Sequence, residues 1–259
     1  MKTTSTTYLV LIPSYNPVGK VYDTVRGALA KRAPVWVVVD GINDGTGEGL
    51  LTMAKDHTQL QVLVLPRNQG KGAAVSYGLQ QAAAAGYTHA LTMDADGQHP
   101  ADAIPRFMAA SAQAAEAMIL GTPVFYASAP APRVKGRRVS NWWASLETLW
   151  MGIGDSLFGF RVYPGAPLLD TMLAQRWMRR FDFDPEAAVR LCWRGARTLN
   201  LPAPVRYYAP GEGGVSHLRY LRDNALLTWM HTRLFYGFVC RLPLLIARRL
   251  CGVVNRMTS

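Results

Sequence analysis

Four short apolar runs, each closed by a polar cluster and followed by a longer amphipathic stretch, constrain the fold of this chain more than any other feature. The runs are Tyr8–Ile12, Val35–Val39, Gln61–Leu65 and His89–Met93, with helical patterns near Val18–Lys31, Gly47–Asp56 and Gly72–Ala85 between them. Strands alternating with helices specify an α/β fold: a Rossmann-like, mostly parallel sheet with crossover helices on its flanks. Ligands in such folds gather at the carboxyl ends of the strands. The polar clusters fall on that edge: PSYN, DGIND, PRNQGKG and DADGQH, one after each run.

Beyond the fourth run the pattern loosens. A helix over Ala101–Ala115 and a strand over Ala117–Gly121 are followed by Tyr126–Arg138, which is rich in Pro and Ala, ends in RVKGRR and reads as a mobile loop. Asn141–Gly152 carries Trp142, Trp143 and Trp150 in a helical pattern. Further strands are expected at Leu157–Tyr163 and Val205–Tyr208, with a helix near Pro185–Arg194 between them. No internal repeat is present. The expected organisation is a catalytic domain over 1–215 and a basic amphipathic helical extension over 216–259.

Charge is distributed unevenly. The net +11 resides mostly in residues 176–259, which hold 14 Arg against 5 Asp and Glu. A cationic segment of this kind seeks phosphates or an anionic surface. No uncharged apolar stretch reaches the roughly 18–20 residues of a bilayer span, since Ala225–Ile246 is broken by His231, Arg233, Arg241 and Pro243. Contact with a membrane is expected to be interfacial, Arg219, Arg222, Arg233, Arg241, Arg248 and Arg249 facing headgroups. Trp229, Leu234, Phe235, Phe238, Leu244 and Leu245 would form the apolar face, and Pro243 would divide the helix in two. The three cysteines have neither metal-ligand nor disulfide spacing, and no apolar leader precedes the first run. A reducing, cytoplasmic setting on the inner face of the membrane is the expectation.

The polar clusters carry the chemistry. In DADGQHP, Asp94 and Asp96 stand one residue apart at a strand end and can share Mg2+ or Mn2+ with a diphosphate. A lone D-x-D is as often a turn; its place at the end of a row of polar loops favours function. NQGKG puts backbone amides at a helix N-terminus, which suits a phosphate or a base edge, but it lacks the Walker pattern and serves equally as a tight turn. Asp40 ends the second run; with Asp44 or Thr46 left to cap the next helix, Asp40 is expected to be free for a base or ribose. FDFDPE brings Asp182, Asp184 and Glu186 to a helix start, either to complement the macrodipole or to supply a general base. Asp184, beside Pro185, is the favoured base; a phosphate acceptor, already ionised, needs none.

Taken together these stretches resemble family 2 glycosyltransferases, in particular the polyprenyl-phosphate sugar synthases. The resemblance runs over about residues 8–220 and rests on Pro13, Tyr15 and Asn16; VVVDGINDGT with Asp40; Asn68, Gly70, Lys71, Gly72, Ala74 and Gly78; DADGQHP; GDSLFGFRVYP; FDFDPE; and GEGGVSHLR. Val39, Phe158 and His217 depart from the family pattern. The resemblance implies a GT-A fold, a UDP- or GDP-sugar donor, Mg2+ or Mn2+, and inversion at the anomeric carbon. It implies that Pro13, Tyr15, Asn16, Asp40, Asn68, Gly70, Lys71, Gly72 and Ala95 bind the donor. Asp94, Asp96 and Gln98 would hold the metal, and Arg161, His217 and Arg219 would meet the diphosphate or a lipid or lipid-phosphate acceptor. A nucleotidyltransferase lacks support because IPSYNPVGK is not its glycine-rich loop. Nucleic-acid binding, or an inactive glycan-binding protein on the same fold, is the contrasting reading; the aromatics lie on apolar helix faces and the carboxylate cluster repels phosphate.

Overall fold

The computed structural model describes residues 6–16, 19–32, 34–41, 45–125, 131–206 and 220–257. The first half follows the expected alternation: β1 (Tyr8–Ser14), α1 (Lys20–Lys31), β2 (Val35–Asp40), α2 (Thr46–Asp56), β3 (Leu60–Leu65), α3 (Lys71–Ala84) and β4 (His89–Thr92). These strands are parallel, and β1 lies between β2 and β4. Then come α4 (Ile104–Gln113), β5 (Met118–Val124), α5 (Ala131–Glu147), β6 (Arg161–Pro164), α6 (Gly165–Leu173), α7 (Phe183–Trp193), β7 (Thr198–Pro204) and α8 (Tyr220–Met257).

The seven strands form one sheet in the order β3-β2-β1-β4-β6-β5-β7. β6 runs antiparallel to both β4 and β5, and β5 pairs in parallel with β7. Side chains alternate across the strands and so feed two cores. Leu9, Leu11, Trp36 and Val38 pack under α3, α6, α7 and α8, whereas Val10, Ile12, Val35, Val37 and Val39 pack under α1, α2 and α4.

Several expectations need correction. Residues 131–138, read as loop, form the first half of α5. Pro132 sits in its first turn, where a missing N–H costs nothing, and Arg137 is drawn inward by Asp155 at 2.6 Å. α6 was not foreseen. The strand expected over Leu157–Tyr163 begins only at Arg161, because Asp155 folds the preceding residues into a turn by accepting from the amides of Leu157 and Phe158. The last strand lies upstream, at Thr198–Pro204, and Tyr207 and Tyr208 fall outside the described residues. α2 is capped by Gly45 rather than Thr46, and Asp44 is outside the described residues.

α8 continues through Pro243 as one helix. The carbonyl deprived of its partner there belongs to Val239, an exposed residue. Its orientation departs from the expectation at Leu234, Phe238 and Leu245, which are buried, and agrees with it at Trp229, Phe235 and Leu244, which are exposed. Arg233 binds Glu186 and covers the Trp177 ring, Arg241 covers Trp193, and Arg248 and Arg249 donate to the carbonyls of Trp193 and Leu149. These four arginines contact the protein and Met230, Leu234, Phe238 and Leu245 are buried against it, while Arg222, Trp229, Phe235, Tyr236, Val239, Leu244, Ile246 and Leu250 are exposed. Among the described residues no helix is long and apolar enough to cross a membrane.

Candidate active site

The carboxyl edge of β1, β2 and β4 brings three distant sequence clusters into contact, and Lys71 is the junction. Its ammonium lies 2.6 Å from Asp94 Oδ1 and 2.6 Å from Asp184 Oδ2. The approach depends on glycine at two positions. A Cβ on Gly72 would stand 1.9 Å from the carbonyl oxygen of Met178, so only glycine lets the start of α3 meet the loop before α7. A Cβ on Gly159 would stand 2.6 Å from Lys71 Nζ and 3.1 Å from Asp94 Oδ2. The backbone of the SLFGF turn therefore forms a wall against the ion pair.

Asp40 is not free. Its two carboxylate oxygens accept from the amides of Gln69 and Gly70, each at 2.7 Å, and it is buried. It holds the β3–α3 loop in place and so fixes the direction in which Lys71 leaves the helix start. Asn68 and Gly70 belong to that loop; Pro13 ends β1 inside the protein, and Tyr15 and Asn16 follow it at the same edge.

The three acidic candidates at α7 separate cleanly. Asp182 accepts from the amides of Arg180 (2.9 Å) and Met178 (3.2 Å), which shapes the turn into the helix. Glu186 is fully buried and takes Arg190 Nε at 2.8 Å and Arg233 at 3.2 and 3.1 Å. Both are committed to the fold. Asp184 alone retains a buried oxygen, Oδ1, without a hydrogen-bond partner.

Arg161 also needs reassignment. It is completely buried, and its five N–H groups go to the carbonyls of Phe158, Asp184, Asp155 and Ser156 and to the Tyr163 hydroxyl. A guanidinium has five donors, so none remains for a diphosphate. Arg161 instead supports the backbone of Asp184 from below. His217 and Arg219 lie outside the described residues.

The electrostatics follow from this packing. Burial by itself would lower the Lys71 pKa, but Asp184 and then Asp94 outweigh it and hold the ammonium above its ordinary value. Burial would raise Asp94; the Lys71 charge keeps it below the usual carboxylate range. Asp96 is pushed up by burial and by the neighbouring Asp94. It accepts from the Gln98 amide at 2.9 Å and meets no cation among the described residues. His99, which the sequence reading left without a role, accepts the Asp94 amide at Nδ1 (2.9 Å) and stands edge-on to Phe158 and Phe160. Burial pushes its pKa down, so the ring is a neutral prop under the loop. Asp155, in the GDSLFGFR stretch, takes Arg137 and Asn141 from α5 as well as the amides of Leu157 and Phe158.

Among the described residues no three His, Cys, Asp or Glu side chains converge as a ready metal cage. The donor set nevertheless fits Mg2+ or Mn2+, which take one or two carboxylates and complete their shell with water and substrate phosphates. Asp96, half-buried and in no ion pair among the described residues, is the observation that carries this fit.

A parallel sheet entered by an antiparallel β6, with a polar rim along β1, β2 and β4, is the GT-A architecture. The chain belongs to glycosyl transferase family 2, whose family model matches residues 9–176. It is similar to an undecaprenyl-phosphate mannosyltransferase of Micrococcus luteus, with 27% identity over 80% of this chain and 87% of that one. A polyprenol monophosphomannose synthase of Mycolicibacterium smegmatis is 29% identical over 60% of each chain. Among solved structures, glucosyl-3-phosphoglycerate synthase of Mycobacterium tuberculosis, in complex with Mn2+, UDP-glucose and phosphoglyceric acid, superposes with a TM-score of 0.62. The match has 13% identity and spans 90% of this chain and 80% of that one. This likeness concerns the fold.

Proposed function

We propose that this glycosyltransferase moves a hexosyl group, with inversion, from a UDP- or GDP-sugar to the phosphate of a polyprenyl-type lipid at a membrane surface. The observation that carries the reading is the Lys71 ammonium held between Asp94 and Asp184, beside an Asp96 in no ion pair among the described residues. Transfer from a nucleotide sugar expels a diphosphate, and its developing charge calls for cations fixed in advance. Asp94 and Asp96, with Gln98 in the outer shell, would hold Mg2+ or Mn2+, which when bound neutralises that leaving group. Lys71 keeps the Asp94 carboxylate oriented. Pro13, Tyr15, Asn16, Asn68, Gly70, Gly72 and Ala95 line the donor side, and Asp40 serves it through the loop it pins. His217 and Arg219 would meet the acceptor.

The choice of acceptor rests on two supports. The curated relatives are named for undecaprenyl phosphate and polyprenol monophosphate, and α8 presents an apolar outward stripe suited to the cytoplasmic face of a bilayer. A phosphate acceptor attacks without giving up a proton; Asp184 then acts by positioning Lys71. A second reading, a hydroxyl acceptor, is favoured by the partnerless Asp184 Oδ1, which would take the proton.

Purified protein incubated with each sugar nucleotide, undecaprenyl phosphate and Mn2+ or Mg2+ should form a glycosyl-phosphoryl lipid detectable by mass spectrometry. EDTA should abolish it. Transfer to undecaprenol or a diacylglycerol but not to undecaprenyl phosphate would replace the first reading by the second.

A further inference from the structure

At the end of α7 remote from Asp184 lies a second cavity, of about 150 Å3, lined by Thr171, Gln175, Arg190, Trp193, Arg194 and Arg241. Nine residues of helix separate Trp193 from Asp184, about 13 Å at the α-helical rise. The donor-site carboxylates line no part of it.

Its floor is rigid. Trp193 is buried, and its indole N–H donates to the Glu147 carbonyl at 2.7 Å. Gly237 allows α8 to meet the indole edge, since a Cβ there would come within 2.9 Å of it. Over the fixed ring stand the guanidiniums of Arg241, at 4.8 Å, and Arg190, at 5.8 Å. The exposed Arg194 completes the group, with one long contact of 3.5 Å to the Pro167 carbonyl.

No acidic side chain lines the cavity. Arg190 is paired with Glu186 at 2.8 Å, a carboxylate it shares with Arg233, which also has Asp182 at 3.9 Å. Arg241 has the Gly237 carbonyl alone. With Arg190 paired, Arg194 and Arg241 stand at the cavity in no ion pair among the described residues, and like charges gathered there repel one another unless an anion joins them. Their flat, forked donors match phosphate oxygens in particular.

We infer that this cleft binds a phosphoryl anion. The rim indicates a lipid headgroup as its source: Leu173, beside Ala174 of the lining, and Leu244, one helical turn beyond Arg241, are exposed large apolar side chains. A phosphodiester seated over Trp193 would leave its acyl chains against them. The inference does not rest on the sugar-transfer reading, and no sugar donor is needed to test it.

The test uses the full chain and the variants Arg194→Gln, Arg241→Gln and their combination. One arm measures partitioning onto phosphatidylcholine vesicles with and without phosphatidylglycerol. The other follows thermal unfolding with inorganic phosphate, which raises the stability of a state that binds it. Wild type should gain partitioning from phosphatidylglycerol, and the double variant should lose roughly thirtyfold of that gain. Neutral vesicles should not distinguish them. A phosphate-dependent thermal shift lost in the double variant, with vesicle binding unaffected, keeps the anion site but assigns it a soluble phosphate. Should Arg241→Gln fail to fold, exposed Arg194→Gln alone carries the test with roughly a fivefold loss. A folded variant that keeps both responses, or a wild type with neither, overturns the inference.

Discussion

Gly159 shows how finely the site is set at the level of single atoms. Its φ is not left-handed, so alanine meets no backbone penalty there; the added methyl instead displaces the end of the Lys71 side chain. Gly159→Ala should therefore leave the thermal midpoint almost unchanged while lowering transfer about a hundredfold, the cost of moving a catalytic group by about an ångström. Asp184→Asn separates the two acceptor readings. With a hydroxyl acceptor kcat should drop by about two to four orders of magnitude, whereas with a prenyl phosphate the fall should be small and the KM for donor unchanged. Steady-state kinetics on both acceptors decide it.

Glu147 offers a pH test away from the site. It is fully buried, one oxygen contacts His231 Nδ1 at 2.9 Å, and the other has no partner. Burial raises its pKa, and nearby Glu186 adds to this, while His231 pulls it down. A raised acid contributes stability that is complete below its unfolded value, near 4.3, and is lost as pH climbs through the folded value. Wild type should therefore lose stability relative to Glu147→Gln as pH rises above that unfolded value. Parallel curves in thermal scans would reject the assignment.

Among the elements, the contact of α7 with α8 matters most for the site. Arg233 reaches from α8 to Glu186, two residues from Asp184, and Arg161 holds the Asp184 carbonyl from β6. Arg233→Met leaves Glu186 with Arg190 alone and should cost about 3 kcal/mol, the lower end for breaking a buried pair. Adding Glu186→Gln should recover part of it, giving a non-additive cycle in chemical denaturation. The periodicity of the sequence made most helices and strands legible, because apolar spacing is a local property. It did not make their partners legible. FDFDPE offered three carboxylates, with Asp184 favoured for its place before Pro185, and packing showed that Asp182 and Glu186 are bound at both oxygens while Asp184 keeps one open. Arg161 and Asp40 looked like ligand groups for the same reason: nothing in the chain announces that five carbonyl and hydroxyl oxygens, or two amides, will converge on them.

On the scale of the whole molecule, the proposed membrane contact puts the outward stripe of α8 to the test. Val239→Asp with Ile246→Asp places charge in that stripe at two exposed positions. It should abolish flotation with vesicles while leaving thermal unfolding within about 0.5 kcal/mol of wild type, as exposed substitutions do. Unchanged flotation would remove the stripe from the membrane contact. The sequence by itself determined the α/β alternation, the parallel core of β1 to β4, the polar rim at their carboxyl ends and the basic surplus of the last third. Each of these is set by spacing, turn chemistry or composition within a short window. Only the tertiary structure decided the antiparallel insertion of β6, the helical start of α5, the junction at Lys71 and the inward turn of four α8 arginines. Those depend on residues as distant as Lys71 and Asp184, or Glu186 and Arg233, and on which buried donor finds which acceptor. Burial is what makes an unpaired charge costly, and burial exists only once the chain has folded.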